Sequence, residues 1–282
     1  MKEVYIINCE SESDVASTNL LAKTIRKFDT TREIIVTTPN PNSEFEKFTQ
    51  VHVYESTANP TLNYFKAAVN VECDRAIYLK SDQLLTHFST DCWETLRNLS
   101  SIVTLKTRLG FSGREINPDN YYQDNVNLAT LKTTKNINAV YLDYSKQARQ
   151  LLGFCIDFCS NYNYNDVQNY IIDMVTDNNI NNLPSFPEFI WPSWLVSFAS
   201  LVFEDEFIEF DFLDNIDLSR QEYNIIDHIW ADTNWNKFLS YWVTEQGQFK
   251  IENFIQSGLI KYQNTQWFND DIIDRIIQAN GQ

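Results

Sequence analysis

The chain has 282 residues, of which 43% are apolar and 14% aromatic, enough for one large core and incompatible with a disordered chain. Its formal net charge of −16 disfavours generic nucleic-acid binding unless a local basic face exists, for which "KTIRK" (23–27) and Lys132 with Lys135 are the candidates. No apolar run reaches the ~18 residues that a membrane span needs, so no span is expected.

The opening "MKEVYIINCE" has no long apolar stretch followed by a cleavage site, and it reads as a first strand, not a signal peptide. The expected compartment is the cytoplasm, or the host cytoplasm if the gene is viral. Five cysteines without a CxxC pair point to reduced buried thiols. Only 6 glycines occur, in neither a GxGxxG nor a GxxxxGK[ST] pattern, which removes the main support for dinucleotide and P-loop chemistry.

"EVYIINCE" (3–10) is an apolar run rich in Val, Ile and Tyr, suited to a central strand. In 13–28, Val15, Leu20, Leu21, Ile25 and Phe28 recur at helical spacing behind Ser13 or Asp14 as N-cap. Strands follow at 32–39 and 50–56. A helix is predicted over 59–72, with Pro60 at its first position. "RAIYLKSD" (75–82) closes the series. This alternation predicts an α/β fold with an open, mostly parallel sheet flanked by helices. Ligands in such sheets bind beyond the carboxyl ends of the strands, which places Lys80, Ser81 and Asp82 at the mouth of the sheet.

Further strands are predicted at 101–109 and 137–145, and helices at 146–162, at 166–175 and in "SWLVSFASLVF" (193–203). The run 177–194 reads as an ordered loop, and "FEDEFIEFD" (203–211) as an amphipathic strand with a solvated charged face. Residues 216–282 read as a C-terminal helical extension, packed through Trp230, Trp235 and Trp242 onto a domain spanning 1–215.

"CDRAIYLKSDQLL" (73–85) resembles a segment of the GT-A nucleotide-sugar glycosyltransferases, especially the glycogenin and bacterial galactosyltransferase group. Their pattern runs roughly hydrophobic-Tyr-Leu-Asp-x-Asp-hydrophobic-hydrophobic. "INAVYLDYSKQARQL" (137–151) resembles a later family segment, with Asn138, Ala139 and Val140 kept and the family's Gly absent. "IIDHIW" (225–230) puts His228 where the family often has its third metal ligand. The resemblance implies a GT-A-like fold and a glycosyltransferase acting on a nucleoside-diphosphate sugar, most simply a UDP-sugar. It implies Mn²⁺ or Mg²⁺ to stabilise the departing diphosphate, with Asp82 and His228 as ligands.

Lys80 stands where the family has its other Asp. Either Asp82, His228 and waters bind a metal more weakly, or the Lys80 ammonium takes over some or all of the cation's work on the diphosphate. A surface ion pair between Lys80 and Asp82, worth little, is the plain alternative. The resemblance also implies nucleotide-sugar contacts from Asn8, Glu10 and Ser11 after the first strand, where a ligand-free helix cap is the competing reading. Asn63 and Lys66 could reach ribose or phosphate, or be solvent-facing. Glu188 in "FPEFIWPSW" (186–194) is the nearest acid to the family's catalytic position, with Lys80 as the second catalytic candidate.

Other functions compete with transfer to a glycan, small-molecule or protein acceptor. One is a non-catalytic binding protein on a degenerate GT-A scaffold. Another is a phage-type enzyme that glycosylates a modified DNA base, suggested by frequent Asn and scarce Gly, a composition suited to an AT-rich genome. DNA ranks below the other acceptors because of the chain's charge.

Overall fold

The computed structural model describes residues 1–47, 49–110, 112–113, 115, 136–161, 192–203, 206–217, 240–245 and 248–262. Among them, a seven-stranded sheet runs through the molecule. Its strands are β1 (Glu3–Asn8), β2 (Glu33–Thr38), β3 (Thr49–Val53), β4 (Arg75–Lys80), β6 (Ile102–Leu105), β7 (Asn136–Asp143) and β8 (Phe207–Glu209), in the order β3-β2-β1-β4-β7-β6-β8. Strands β1 to β4 are mutually parallel, β7 is antiparallel to both β4 and β6, and β8 is parallel to β6. The fold is α/β with a mixed, mostly parallel sheet.

The central strands are apolar throughout because both of their faces are covered. Successive side chains of β1 point to opposite sides, so Val4 and Ile6 enter one core and Tyr5 and Ile7 the other. In β4, Ala76 and Tyr78 join the first core and Ile77 and Leu79 the second. Helices α2 (Pro60–Val69), α4 (Ala148–Asn161) and α5 (Pro192–Val202) pack on the first face. Helices α1 (Val15–Phe28) and α3 (Cys92–Arg97) pack on the second, where Leu21, Ile25, Trp93 and Leu96 are buried. Asn59 caps α2 by accepting from the N–H groups of Thr61 and Leu62, and Pro60 fills the first turn, where no N–H is needed.

The amino ends of the strands are closed by ion pairs. Glu3 accepts from Arg97 at 2.6 and 2.8 Å and from Arg32 Nε at 3.0 Å. Buried Asp143 accepts from Arg75 Nε at 3.0 Å. It is a structural hydrogen-bonding residue.

The described part of 216–282 corrects the helical expectation: it forms β10 (Tyr241–Val243), β11 (Phe249–Ile251), β12 (Phe254–Ile255) and β13 (Leu259–Lys261). Strands β10 to β12 make a small antiparallel sheet on which Trp242 is 40% exposed, so this residue is not the packing group its spacing suggested. Trp230 and Trp235 lie outside the described residues. Strand β13 runs antiparallel to β5 (Gln83–Leu85) and parallel to β9 (Asn215–Asp217), making a second small sheet that joins the late segment to the main body. Gly258 permits this junction. Its φ is +88°, and a Cβ there would lie 2.3 Å from the Asp214 carbonyl oxygen.

Candidate functional site

In the order β3-β2-β1-β4 the chain progresses outward from β1 on one side and resumes at β4 on the other. The switch point therefore lies between β1 and β4, and the place beyond their carboxyl ends is where sheets of this kind have their ligand crevice. The last residues of these strands, Asn8 and Lys80, are register partners, and the row continues through Thr37 to His52. Asn8 is buried, donates Nδ2 to Glu10 Oε1 at 3.0 Å, and accepts from the Tyr54 hydroxyl at 3.5 Å. Glu10 stands at the exposed rim.

The turn after β4 is fixed by Gln83, which is fully buried. Its Oε1 accepts from the Lys80 N–H at 3.1 Å, and its Nε2 donates to the Asn138 carbonyl at 2.6 Å. The Lys80 ammonium lies 5.5 Å from the centroid of the Tyr64 ring, on the face shared with Tyr78. Ser81 is buried, and Asp82 is partly buried, with an Oδ1 that is shielded from solvent and has no hydrogen-bond partner. A buried acceptor left open in this way marks a place prepared for a donor.

The second small sheet brings the remaining charges. Lys261 pairs in register with Gln83 on one side and Asp217 on the other, and the Tyr262 N–H donates to the Asp82 carbonyl at 3.0 Å. Burial pushes the Lys80 ammonium down, Lys261 and Arg108 add to this, and Asp82 and Glu10 pull it back up. Burial pushes the Asp82 carboxyl up, against the opposing pull of Lys261 and Lys80, while Asp217 reinforces the rise. In a strongly acidic chain, Lys80 and Asp82 thus lie within electrostatic reach of the cations Arg108 and Lys261 as well as of the acids Glu10 and Asp217.

The structure thus brings together Asn8, Glu10, Lys80 and Asp82. Other residues named from the sequence are already engaged. Ser11 caps the turn before α1 through the Asp14 carboxylate, with its N–H at 3.0 Å and its hydroxyl at 2.7 Å. Asn63 holds the loop before α2, accepting from the Thr57 N–H at 2.7 Å and donating to the Thr57 carbonyl at 2.9 Å. Lys66 donates to the Glu55 carbonyl at 3.4 Å. Glu188 and His228 lie outside the described residues.

Sequence reasoning missed Gln83, Asp217 and Lys261. The signal for Lys261 was the short apolar pair Leu259 and Ile260 after a glycine, which suits a strand.

A divalent ion of the Mn²⁺ or Mg²⁺ type takes about six donors, mainly oxygens. Among the described residues, no group of three His, Cys, Asp or Glu side chains converges to hold one. The strongest charged influences on Asp82 are two ammonium groups. The described donors do not fit a resident divalent ion.

No protein-family profile and no curated protein matches the chain. Glycosyltransferases are among the solved structures similar to it. GlyE of Streptococcus pneumoniae TIGR4 aligns with a TM-score of 0.42 and 10% identity, over 75% of this chain and 45% of that one. Its apo form gives a TM-score of 0.39 and 9% identity, over 75% and 46% of the two chains. The galactosyltransferase LgtC, in complex with donor and acceptor sugar analogues, gives 0.40 and 8% identity over 70% of each chain. The chain spans less than half the length of GlyE. No helix among the described residues is long and apolar enough to cross a membrane.

Proposed function

We propose that the chain is a glycosyltransferase of GT-A type that takes its sugar from a nucleoside-diphosphate sugar, with UDP-sugars first among the candidates. The single observation that carries this reading is the pairing of Asn8 with Lys80 at the sheet's switch point, which sets a polar side chain and a cation side by side in the crevice. In this reading the donor's diphosphate lies over the ends of β1 and β4, and Lys80 meets the charge that grows as the sugar leaves. The open Oδ1 of Asp82 suits a sugar or ribose hydroxyl, which can donate to it.

Glu188 remains the candidate acid or base, and residues 1–215 the candidate catalytic domain. The acceptor is a glycan, a small molecule or a protein, with a modified DNA base ranked after them. Thermal-shift measurements with UDP, GDP, CDP and their sugars test the donor. A stabilisation by one nucleoside diphosphate and its sugar, and by no other, supports the reading, and a flat response to all of them removes it.

A second reading is a non-catalytic binding protein on the same scaffold. It is favoured by the way Ser11 and Asn63 spend their side chains on internal hydrogen bonds. Nucleotide-sugar binding without hydrolysis or transfer to any offered acceptor would select it.

A further inference from the structure

The crevice must meet the charge of a diphosphate, and the described residues offer two ways to do so: a recruited divalent ion or the chain's own cations. The geometry decides between them. Lys80 ends β4 with its backbone fixed by Gln83 and its ammonium near the Tyr64 ring, so its position is built in and not a free surface choice. Lys261 is placed by two flanking strands, between Gln83 and Asp217. Asp82 lies in the turn two residues after Lys80 and one before Gln83, the register partner of Lys261, with its backbone carbonyl held by the Tyr262 N–H.

A carboxylate in that position balances two like charges that would otherwise repel each other in a partly desolvated pocket. A divalent ion brought to the same carboxylate would instead face both ammonium groups, and no second and third ligand converge with it among the described residues. Of the two other acids nearby, Glu10 accepts from Asn8, and Asp217 pairs in register with Lys261, so neither joins Asp82 in a group of three ligands among the described residues.

Resting on the nucleotide-sugar reading above, we infer that this site binds its donor without a divalent ion: Lys80 takes the cation's place at the diphosphate, and Asp82 is the counter-ion of Lys80 and Lys261, not a metal ligand. The arrangement inverts the usual division of labour in a dicarboxylate site, where acids recruit the positive charge. Here the positive charge is covalently part of the strand, and the acid keeps it in place.

The test is calorimetry of UDP binding to the full chain in EDTA and in Mn²⁺, with a separate titration of Mn²⁺ alone. The expected result is the same affinity in both buffers, within about twofold, and no Mn²⁺ binding to the protein by itself. Lys80→Met should weaken UDP at least about tenfold in EDTA, the loss of one hydrogen bond to a charged group. Asp82→Asn should still bind UDP in EDTA. Lys80→Asp should lose binding in EDTA and regain it with Mn²⁺. Wild-type binding that disappears in EDTA and returns with Mn²⁺, but does not return in Asp82→Asn, overturns the inference and leaves the nucleotide-sugar reading intact. Absence of UDP, GDP and CDP binding in both buffers overturns the two together.

Discussion

Asn8 and Lys80 close adjacent parallel strands at the same level, so the two polar ends of an otherwise apolar pair open onto one crevice. Residues 4–7 and 76–79 are buried and leave no room for a ligand, and the polar character begins where the sheet ends. Both strand ends are tied from behind, Asn8 by Tyr54 and the Lys80 backbone by Gln83. Substitutions around these strand ends separate residues that shape the site from residues that bind.

Gly258→Ala should destabilise the chain by about 2 kcal/mol or more, because the new Cβ meets the Asp214 carbonyl and the positive φ disfavours any side chain. The same substitution should weaken nucleotide binding, since β13 carries Lys261 into the pocket. Urea denaturation and calorimetry on one protein preparation check both effects. An unchanged midpoint would show that β13 does not sit where the close approach to Asp214 requires.

Asn63→Ala should lower stability by about 1–3 kcal/mol through the loss of its hydrogen bonds to Thr57, with nucleotide affinity unchanged. A loss of affinity with no shift in melting temperature would return Asn63 to the donor site.

Trp93→Ala should cost about 3–5 kcal/mol. The indole is fully buried, donates Nε1 to the Tyr5 hydroxyl at 3.2 Å, and lies edge-on to the rings of Tyr5 and Tyr141. It packs against the sheet on the α1 and α3 side, away from Lys80 and Tyr64. Protein that remains folded should therefore bind nucleotide normally, and chemical denaturation read beside a binding titration decides.

Stability should fall in acid through Asp29. Burial opposes ionisation of this carboxyl, yet hydrogen bonds from Arg32, Thr31 and Tyr5 outweigh it and hold the group down to about 2. Its folded pKa lies below the unfolded value of about 3.9, so the contribution is complete above that value and is lost as pH falls toward 2. The shift corresponds to about 2–3 kcal/mol at neutral pH. Asp29→Asn should remove that part of the acid dependence, measured as unfolding free energy between pH 6 and pH 2. A pH profile identical to wild type would refute it.

The first half of the sheet was legible because strands buried on both faces read as unbroken apolar runs, cut by Pro39, by Pro60 and by the Lys-Ser-Asp triplet itself. That pattern also located the crevice, since the end of a parallel strand is where a polar ligand can enter. The charged partners in the pocket were not legible for a physical reason. Strands β5, β9 and β13 have three residues each, too few to show a period of two. The tryptophan spacing nearby instead favoured helices, although the exposed Trp242 packs into no core. Ser11 was legible both as a polar residue close to the crevice and as a cap, since a serine three residues before Asp14 fits a capping box, whereas the hydrogen bonds of Asn63 to Thr57 depend on loop geometry that no residue pattern encodes.

The small sheet also dictates an order of assembly. Strands β1 to β4 and their helices are complete once residue 80 has been made, whereas β5 waits for β13, and Thr86 just after β5 donates to the Gly258 carbonyl just before β13, 172 positions along the chain. A chain emerging from the ribosome at ~5–20 residues per second would carry strands β1 to β4 for many seconds with the β5 edge unpaired and Lys261 not yet made. The shelf at the ends of β1 and β4 thus forms early, whereas Lys261 reaches the neighbourhood of Asp82 only when the last described strand arrives.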